Sequence, residues 1–182
     1  YMDKEKQNQI TPEMIANLTL GNVSSVQSLA DIFINNMSGK TAVVTGGASG
    51  LGYNVVNRLS EAGVQVVIAS RSEAKGKKAE EEFRSRGREV TWHQTDVTKV
   101  SDCYETIDFA EKTYGKVDIL VANAATWSMF SFLDMPEDEY DKVMNTDLKG
   151  EYFMAQAAAR SMVRNKIKGK IIFTSSAARH SS

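Results

Sequence analysis

The sequence predicts an α/β domain built on a doubly wound parallel sheet, and three observations carry that reading. Short runs rich in valine and isoleucine recur along the chain with nearly continuous apolar character, as strands buried on both faces of a parallel sheet should have. Helix-like stretches alternate with them, the pattern of right-handed β-α-β crossovers. A glycine-rich turn, Thr45-Gly46-Gly47-Ala48-Ser49-Gly50-Leu51-Gly52, joins the first of these strands to the first of these helices.

The elements follow in order. Residues 1–38 read as a polar N-terminal extension with weak helical periodicity at Ile15, Leu18, Val26, Leu29, Ile32 and Phe33, packing on the domain or on a partner subunit. Residues 39–182 read as the domain itself. Thr41-Ala42-Val43-Val44 opens a strand at 41–45, and Tyr53 to Leu59 lies within a helix at 51–62. A second strand is expected at 64–69, followed by a charged helix at 73–87. In that helix Glu73/Lys77, Glu80/Arg84 and Glu82/Arg86 fall at i,i+4 with the acid first, which marks a solvated face and not a nucleic-acid surface. Further strands are expected at 89–94, 117–122 and 170–174, with helices at 101–114 and 136–165. The last helix carries an inward stripe at Tyr140, Val143, Met144, Leu148, Tyr152, Ala155, Ala159 and Met162.

Composition narrows the classes of partner. The chain has 182 residues, of which 42% are hydrophobic and 25% charged, an ordinary globular balance for one domain. Twenty-two Lys and Arg residues oppose 23 Asp and Glu residues, so no global field recruits nucleic acid or an anionic membrane. No apolar run reaches the length of a membrane span, and Tyr1 to Gln9 lacks a signal-peptide core. Cys103 is the single cysteine, which excludes an internal disulfide framework and fits a reducing compartment; the cytoplasm is the expected location. His93 has no second histidine or acid at ligand spacing, so no metal site is expected, and Cys103 reads as inert.

The glycine turn has a chemical reading of its own. Glycines let the backbone turn tightly and approach phosphate, and the following helix offers free N–H groups and a partial positive charge. A dinucleotide pyrophosphate needs that combination. At the end of the second strand, Ile68-Ala69-Ser70-Arg71 stands where such folds read the adenosine ribose. An acid there would accept from the 2′-OH and repel a 2′-phosphate; Ser70 and Arg71 can instead donate to the phosphate. That favours NADP(H) over NAD(H), although NAD(H) stays possible. Arg71 also has a plainer reading as the first residue of the charged helix, and Ser49 stands where a basic residue would strengthen the NADP(H) reading.

The turn, spaced Thr-Gly-x-x-x-Gly-x-Gly, resembles the nucleotide-binding signature of the short-chain dehydrogenase/reductase family. Asp96-Val97 resembles the family's Asp-Val pair, whose aspartate receives the adenine amino group; a helix cap is the alternative role. Asn123-Ala124-Ala125 resembles its Asn-Asn-Ala-Gly motif, with Ala122 and Ala125 as departures. The resemblance covers residues 40 to 182. It implies a Rossmann-type sheet of three layers in the order 3-2-1-4-5, with cofactor contacts at Gly46, Ser49, Gly50, Leu51, Gly52, Ser70, Arg71, Asp96, Val97, Asn123, Ala124 and Ala125.

The resemblance also implies a reaction. Ile171-Ile172-Phe173-Thr174-Ser175-Ser176 is similar to the family's strand that ends in the catalytic serine, which falls on Ser176. Asp147, before Leu148-Lys149-Gly150, stands where many relatives place a relay asparagine; it is either a variant relay residue or a buried acid that must be paired or neutral. No Tyr-x-x-x-Lys follows Ser176, and Tyr1-Met2-Asp3-Lys4 has the wrong spacing and lies in the leader. The implied parent is therefore longer than these residues, which alone are expected to be inactive. It would transfer a hydride between the nicotinamide and a carbonyl or secondary alcohol. Its leader is similar to those of polyol, ketose and sugar-acid members. The alternative is a catalytically silent NADP(H)-binding regulatory protein. Trp127, Met129 and Phe130 read equally as core or as substrate wall. The resemblance implies a homo-oligomer in which this long helix meets its counterpart, a tetramer of paired dimers to which the leader contributes, and a second face of the helix, at Phe153, Met154, Ala157, Ala158 and Met162, suits that contact.

Overall fold

The computed structural model describes residues 37–176. The expectations for the leader up to residue 36 lie outside the described residues. Strand β1 (Thr41–Thr45) is the centre of a sheet, with β2 (Gln65–Ser70) on one side and β4 (Ile119–Ala122) on the other. Val43 faces Val67 across one ladder and Leu120 across the other. Beyond β2 lies β3 (Val90–Gln94), and beyond β4 lies β5 (Lys170–Phe173), every pair parallel. The order is β3-β2-β1-β4-β5, as the resemblance implies.

Side-chain alternation along β1 divides the core into two layers. Ala42 and Val44 join Val66, Ile68 and Val121 beneath α1 (Gly50–Glu61) and α2 (Glu73–Ser85), which contribute Val56, Ala79 and Phe83. Val43 joins Val67 and Leu120 beneath α3 (Val100–Tyr114) and α5 (Glu151–Arg164), which contribute Ile107, Ala110, Met154, Ala157 and Ala158. Helices thus cover both faces, the three-layer arrangement expected. Burial of a side chain such as Phe83, with no exposed surface, is worth about 1.5–3 kcal/mol.

The boundaries move by one or two residues for local reasons. The ladder of β4 begins at Ile119 and not at 117, because the buried Asp118 Oδ2 accepts the Thr41 N–H at 2.9 Å and meets Lys116 Nζ at 3.2 Å. The two outer strands are not buried on both faces as expected. Trp92 and His93 of β3 are half-buried, and Ile172 and Phe173 of β5 are exposed. Among the described residues both strands are the outermost of the sheet, where a parallel strand has a neighbour on one side alone.

The long helix departs most from its sequence reading. It runs as α4 (Glu137–Val143), a π-helical turn (Met144–Gly150) and α5; Ala155 and Met162 of the expected inward stripe pack on the core, but its three largest members do not. Tyr140, Leu148 and Tyr152 are 53%, 60% and 59% exposed, whereas Met154, Ala157 and Ala158 are buried against α3 and the sheet. The expected oligomer face at Met154, Ala157 and Ala158 is therefore core. Two causes combine. A wider turn changes the phase of the helix, so a regular 3.6-residue stripe cannot be carried through it. Small residues also let the helix approach closely: a Cβ on Gly150 would lie 2.9 Å from the Val97 carbonyl oxygen.

Candidate functional site

The carboxyl ends of the parallel strands open into a cleft of about 410 Å³, the position at which such sheets bind ligands. Its floor is the turn after β1. Gly46 has φ +66° and Gly50 φ +55°, left-handed values that favour glycine. Gly46 N–H donates to the Ala69 carbonyl at 2.8 Å, which locks the turn to the end of β2. Gly52 serves packing. A Cβ there would lie 2.4 Å from the Gly46 carbonyl oxygen and 2.7 Å from Asn123 Nδ2, so no side chain fits.

The turn delivers the N-terminus of α1 to the cleft. Ser49 is the N-cap residue, its side chain makes no capping bond, and the first turn of α1 contains no acidic residue. The partial positive charge of the helix end is therefore not offset locally, which suits an anionic ligand. The glycine cradle and this helix end fit a pyrophosphate.

Three segments wall the cleft. From β2 and the start of α2 come Ser70, Arg71, Ser72 and Lys75. Arg71 and Lys75 are exposed cations; the carboxylate that shares the cleft with them is Asp96, and Arg71 also borders a second hollow with Asp96, Asp102 and Glu105. From the loop after β3 come Thr95, Asp96, Val97 and Thr98. Asp96 Oδ1 accepts from Thr98 N–H at 3.1 Å and Thr98 Oγ1 at 2.8 Å, while Asp96 N–H donates to Asp102 Oδ2 at 2.9 Å. Asp96 thus closes the turn ahead of α3, whose N-cap is Lys99. From β4 come Asn123, Ala124 and Ala125. The N–H groups of Asn123 and Ala124 both donate to Thr45 Oγ1, at 2.8 and 2.9 Å, and Asn123 Nδ2 donates to the Thr45 carbonyl at 3.1 Å. Thr174 Oγ1 donates to Asn123 Oδ1 at 3.2 Å, so this side chain ties β1, β4 and the end of β5 together.

The cleft gathers Gly46, Ser49, Leu51, Ser70, Arg71, Asp96, Val97, Asn123, Ala124 and Ala125 of the expected set. Gly50 and Gly52 shape the turn without lining the cleft, and neither Asp147 nor Ser176 lines it. Asp147 lies in the π-helical turn and its Oδ1 accepts the Thr126 N–H at 2.8 Å, so the carboxylate is paired with backbone. Glu151, one turn on, has its carboxyl pushed above the usual range by burial and by the charge of Asp147. Ser176 follows β5 at the same carboxyl edge of the sheet. Sequence reading missed Ser72, Lys75, Thr95, Thr98 and Thr146; of these, the Ser and Lys just after Arg71 were open to inspection as further phosphate donors.

The remaining candidates fall into place. Trp127, Met129 and Phe130 are exposed, so they are not core within the described residues. Cys103 is buried and its thiol is pushed up to about 11 by burial, which leaves little thiolate. His93 contacts Thr95 and Thr106 and stacks on Phe109 at 4.5 Å; burial holds its pKa below the usual value. Among the described residues no cluster of His, Cys, Asp or Glu is placed to hold a metal, and no helix is long and apolar enough to cross a membrane.

Residues 40–182 match the family model described as short chain dehydrogenase. The chain is similar to an (S)-acetoin-forming diacetyl reductase of Staphylococcus epidermidis, 36% identical over 143 residues that cover 79% of this chain and 56% of the relative. It is also similar to an L-rhamnose 1-dehydrogenase (NADP(+)) of Thermoplasma acidophilum, 36% identical over 149 residues covering 80% and 58%. Among solved structures, a short-chain type dehydrogenase/reductase from Mycobacterium marinum superposes with a TM-score of 0.76 at 35% identity, covering 79% of this chain and 58% of that one. The chain thus spans a little over half the length of the curated relatives it matches.

Proposed function

The chain belongs to the short-chain dehydrogenase family, and we propose that it forms the cofactor half of an NADP(H)-preferring oxidoreductase acting on a small carbonyl or secondary alcohol. The observation that carries the cofactor reading is the tip of β2. Ser70, Arg71, Ser72 and Lys75 line the cleft together with no carboxylate among them, so the ribose end presents donors and positive charge. The guanidinium of Arg71 suits a phosphate dianion bidentately, and the ammonium of Lys75 adds a point charge. Gly46 and Gly50 admit the pyrophosphate to the N-terminus of α1, while Asp96, with Oδ1 held by Thr98, offers Oδ2 to the adenine amino group. Asn123, Ala124 and Ala125 bring backbone close to the cofactor on the β4 side.

The bound nicotinamide supplies or accepts the hydride. The Ser176 hydroxyl donates to the substrate carbonyl oxygen and orients it. Asp147 anchors the loop after β4 through Thr126 and takes the relay position. Trp127, Met129 and Phe130, exposed beyond the end of β4, form part of the substrate wall. A polyol, ketose, sugar acid or similarly small polar carbonyl compound is the substrate class, supported by relatives named for diacetyl and rhamnose. Those relatives are named as a reductase and a dehydrogenase, which favours catalysis over a silent regulatory role. The protein works in the cytoplasm as a homo-oligomer, with Leu148 and Tyr152 in place of Ala157 at the contact.

Titration of NADPH and NADH into the full-length protein and its Arg71→Ala variant tests the cofactor reading. The parent binds NADPH more tightly, and the variant loses about 1.5–3 kcal/mol toward NADPH alone, the range for hydrogen bonds to a charged group. Equal affinities in the parent overturn it.

A further inference from the structure

The cofactor-reading end of β2 is held from behind by a residue that does not line the cleft. Parallel register sets Ile68 opposite Trp92 and Ser70 opposite Gln94. The half-buried Trp92 projects its indole toward α2, and Nε1 donates to Ser70 Oγ at 3.0 Å. Ser70 lines the cleft and Trp92 does not. The indole is seated by a glycine. Gly76 of α2 is buried, and a Cβ there would fall 2.1 Å from Trp92 Nε1 and 2.2 Å from Cδ1. No L side chain at position 76 leaves the indole in place. Gln94 Nε2 secures the next residue by donating to the Arg71 carbonyl at 3.3 Å.

The chemistry of the Trp92–Ser70 bond has a direction. An indole N–H can only donate, so Ser70 Oγ is its acceptor and the serine hydrogen cannot be spent on that contact. A serine hydroxyl has one hydrogen and two lone pairs. With one lone pair engaged by Trp92, the hydroxyl is biased toward donating into the cleft. A phosphate offers only acceptor oxygens there, and it rewards a donor more strongly than a ribose hydroxyl does, because bonds to charged acceptors are the stronger ones.

We propose that Trp92, seated by Gly76, is a positioning residue for cofactor choice: it fixes the Ser70 hydroxyl as a donor toward the 2′-phosphate of NADP(H). The proposal rests on the NADP(H) reading of the cleft above. Trp92 touches no cofactor itself and acts through Ser70.

The test is a double-mutant cycle on the full-length protein, with Trp92→Phe, Ser70→Ala and the combination. Dissociation constants for NADPH and NADH are read from nicotinamide fluorescence. Trp92→Phe keeps an aromatic ring, a smaller one, and removes the N–H. It should weaken NADPH roughly two- to ten-fold, the range for one hydrogen bond, and leave NADH nearly unchanged. In the Ser70→Ala background the same substitution should change NADPH affinity by less than about two-fold. Gly76→Ala, which expels the indole by another route, should reproduce the NADPH-selective loss. A loss shared equally by both cofactors, or one that persists without the Ser70 hydroxyl, overturns the proposal. The parent's ratio of NADPH to NADH affinity is measured in the same experiment. A ratio near one overturns the cofactor reading, whereas coupling between positions 92 and 70 in NADPH affinity is judged independently of that ratio.

Discussion

Asp147 Oδ1 accepts the Thr126 backbone N–H at 2.8 Å, joining the π-helical turn of the long helix to the loop that leaves β4. The bond spans 21 residues of sequence and fixes the segment that leads to Trp127 and Met129. A regular α-helix would set residue 147 at a different angle to its neighbours, so the wide turn and the contact belong together.

Replacing Asp147 therefore has two separable consequences. Asp147→Ala leaves the half-buried Thr126 N–H without its acceptor and should cost about 1–3 kcal/mol of stability. Asp147→Asn keeps an oxygen acceptor and should cost less than half as much. Urea unfolding of the two variants beside the parent checks the order. Equal losses would mean that the charge, and not the hydrogen bond, holds the loop.

The helix faces make a second prediction. Ala157 is buried in the core, so Ala157→Glu places an unpaired carboxylate there and should unfold the domain or destabilise it by several kcal/mol. Tyr152 is exposed, and Tyr152→Glu should leave the melting transition within about 0.5 kcal/mol of the parent. If the protein self-associates along this face, light scattering should show Tyr152→Glu as the smaller species. A folded, dissociated Ala157→Glu would restore the face assignment made from the stripe.

These two faces mark where sequence reading runs out. The turn at Gly46–Gly52 and the place of Ser70 and Arg71 at the cleft are legible because they depend on local features: a strand end, a tight turn, a helix start. The strand order follows from alternation and from the resemblance, and it is found as expected. The faces of residues 137–164 are not legible in the same way. Leu148 and Tyr152 are larger than Ala157 and Ala158, so apolar size points outward while the fit of small residues against α3 points inward. The phase change at Met144–Gly150 leaves no mark in the spacing of apolar residues. Lys75 reaches the cleft only because α2 begins directly after the β2 tip, and the Trp92–Ser70 bond depends on strand register, which single positions do not reveal.

A third prediction concerns acid. Glu111 of α3 feels burial, which pushes its carboxyl up, but Ser161 Oγ at 2.5 Å, Arg164 Nη2 at 2.5 Å and Asn165 Nδ2 at 2.6 Å together hold it below its ordinary 4.5. The folded state thus binds this proton less readily than the unfolded chain. Its contribution is complete above pH 4.5 and is lost as pH falls through the lower folded value. Glu111→Gln should cost roughly 1–2 kcal/mol at pH 7, and the gap from the parent should shrink below pH 4.5. Denaturant midpoints across that range check it. A gap that stays constant would assign the effect to packing of α3 on α5.

Gly52 gives the last prediction, because its role is steric and blind to the ribose. A Cβ at this position would lie 2.4 Å from the Gly46 carbonyl oxygen and 2.8 Å from the Gly46 carbonyl carbon. Those are backbone atoms of the turn itself, so relief requires moving α1 away from the turn and not merely rotating a side chain. Gly52→Ala should cost about 1–3 kcal/mol of stability, the usual range for overpacking. The displaced helix N-terminus should also weaken NADPH and NADH by the same factor, since both share a pyrophosphate. Arg71→Ala, in contrast, should weaken NADPH alone. Parallel titrations of the two variants separate the pyrophosphate cradle from the ribose-reading tip. A Gly52→Ala variant that bound either cofactor like the parent would show that the turn can yield, and would remove the steric reason for glycine at this position.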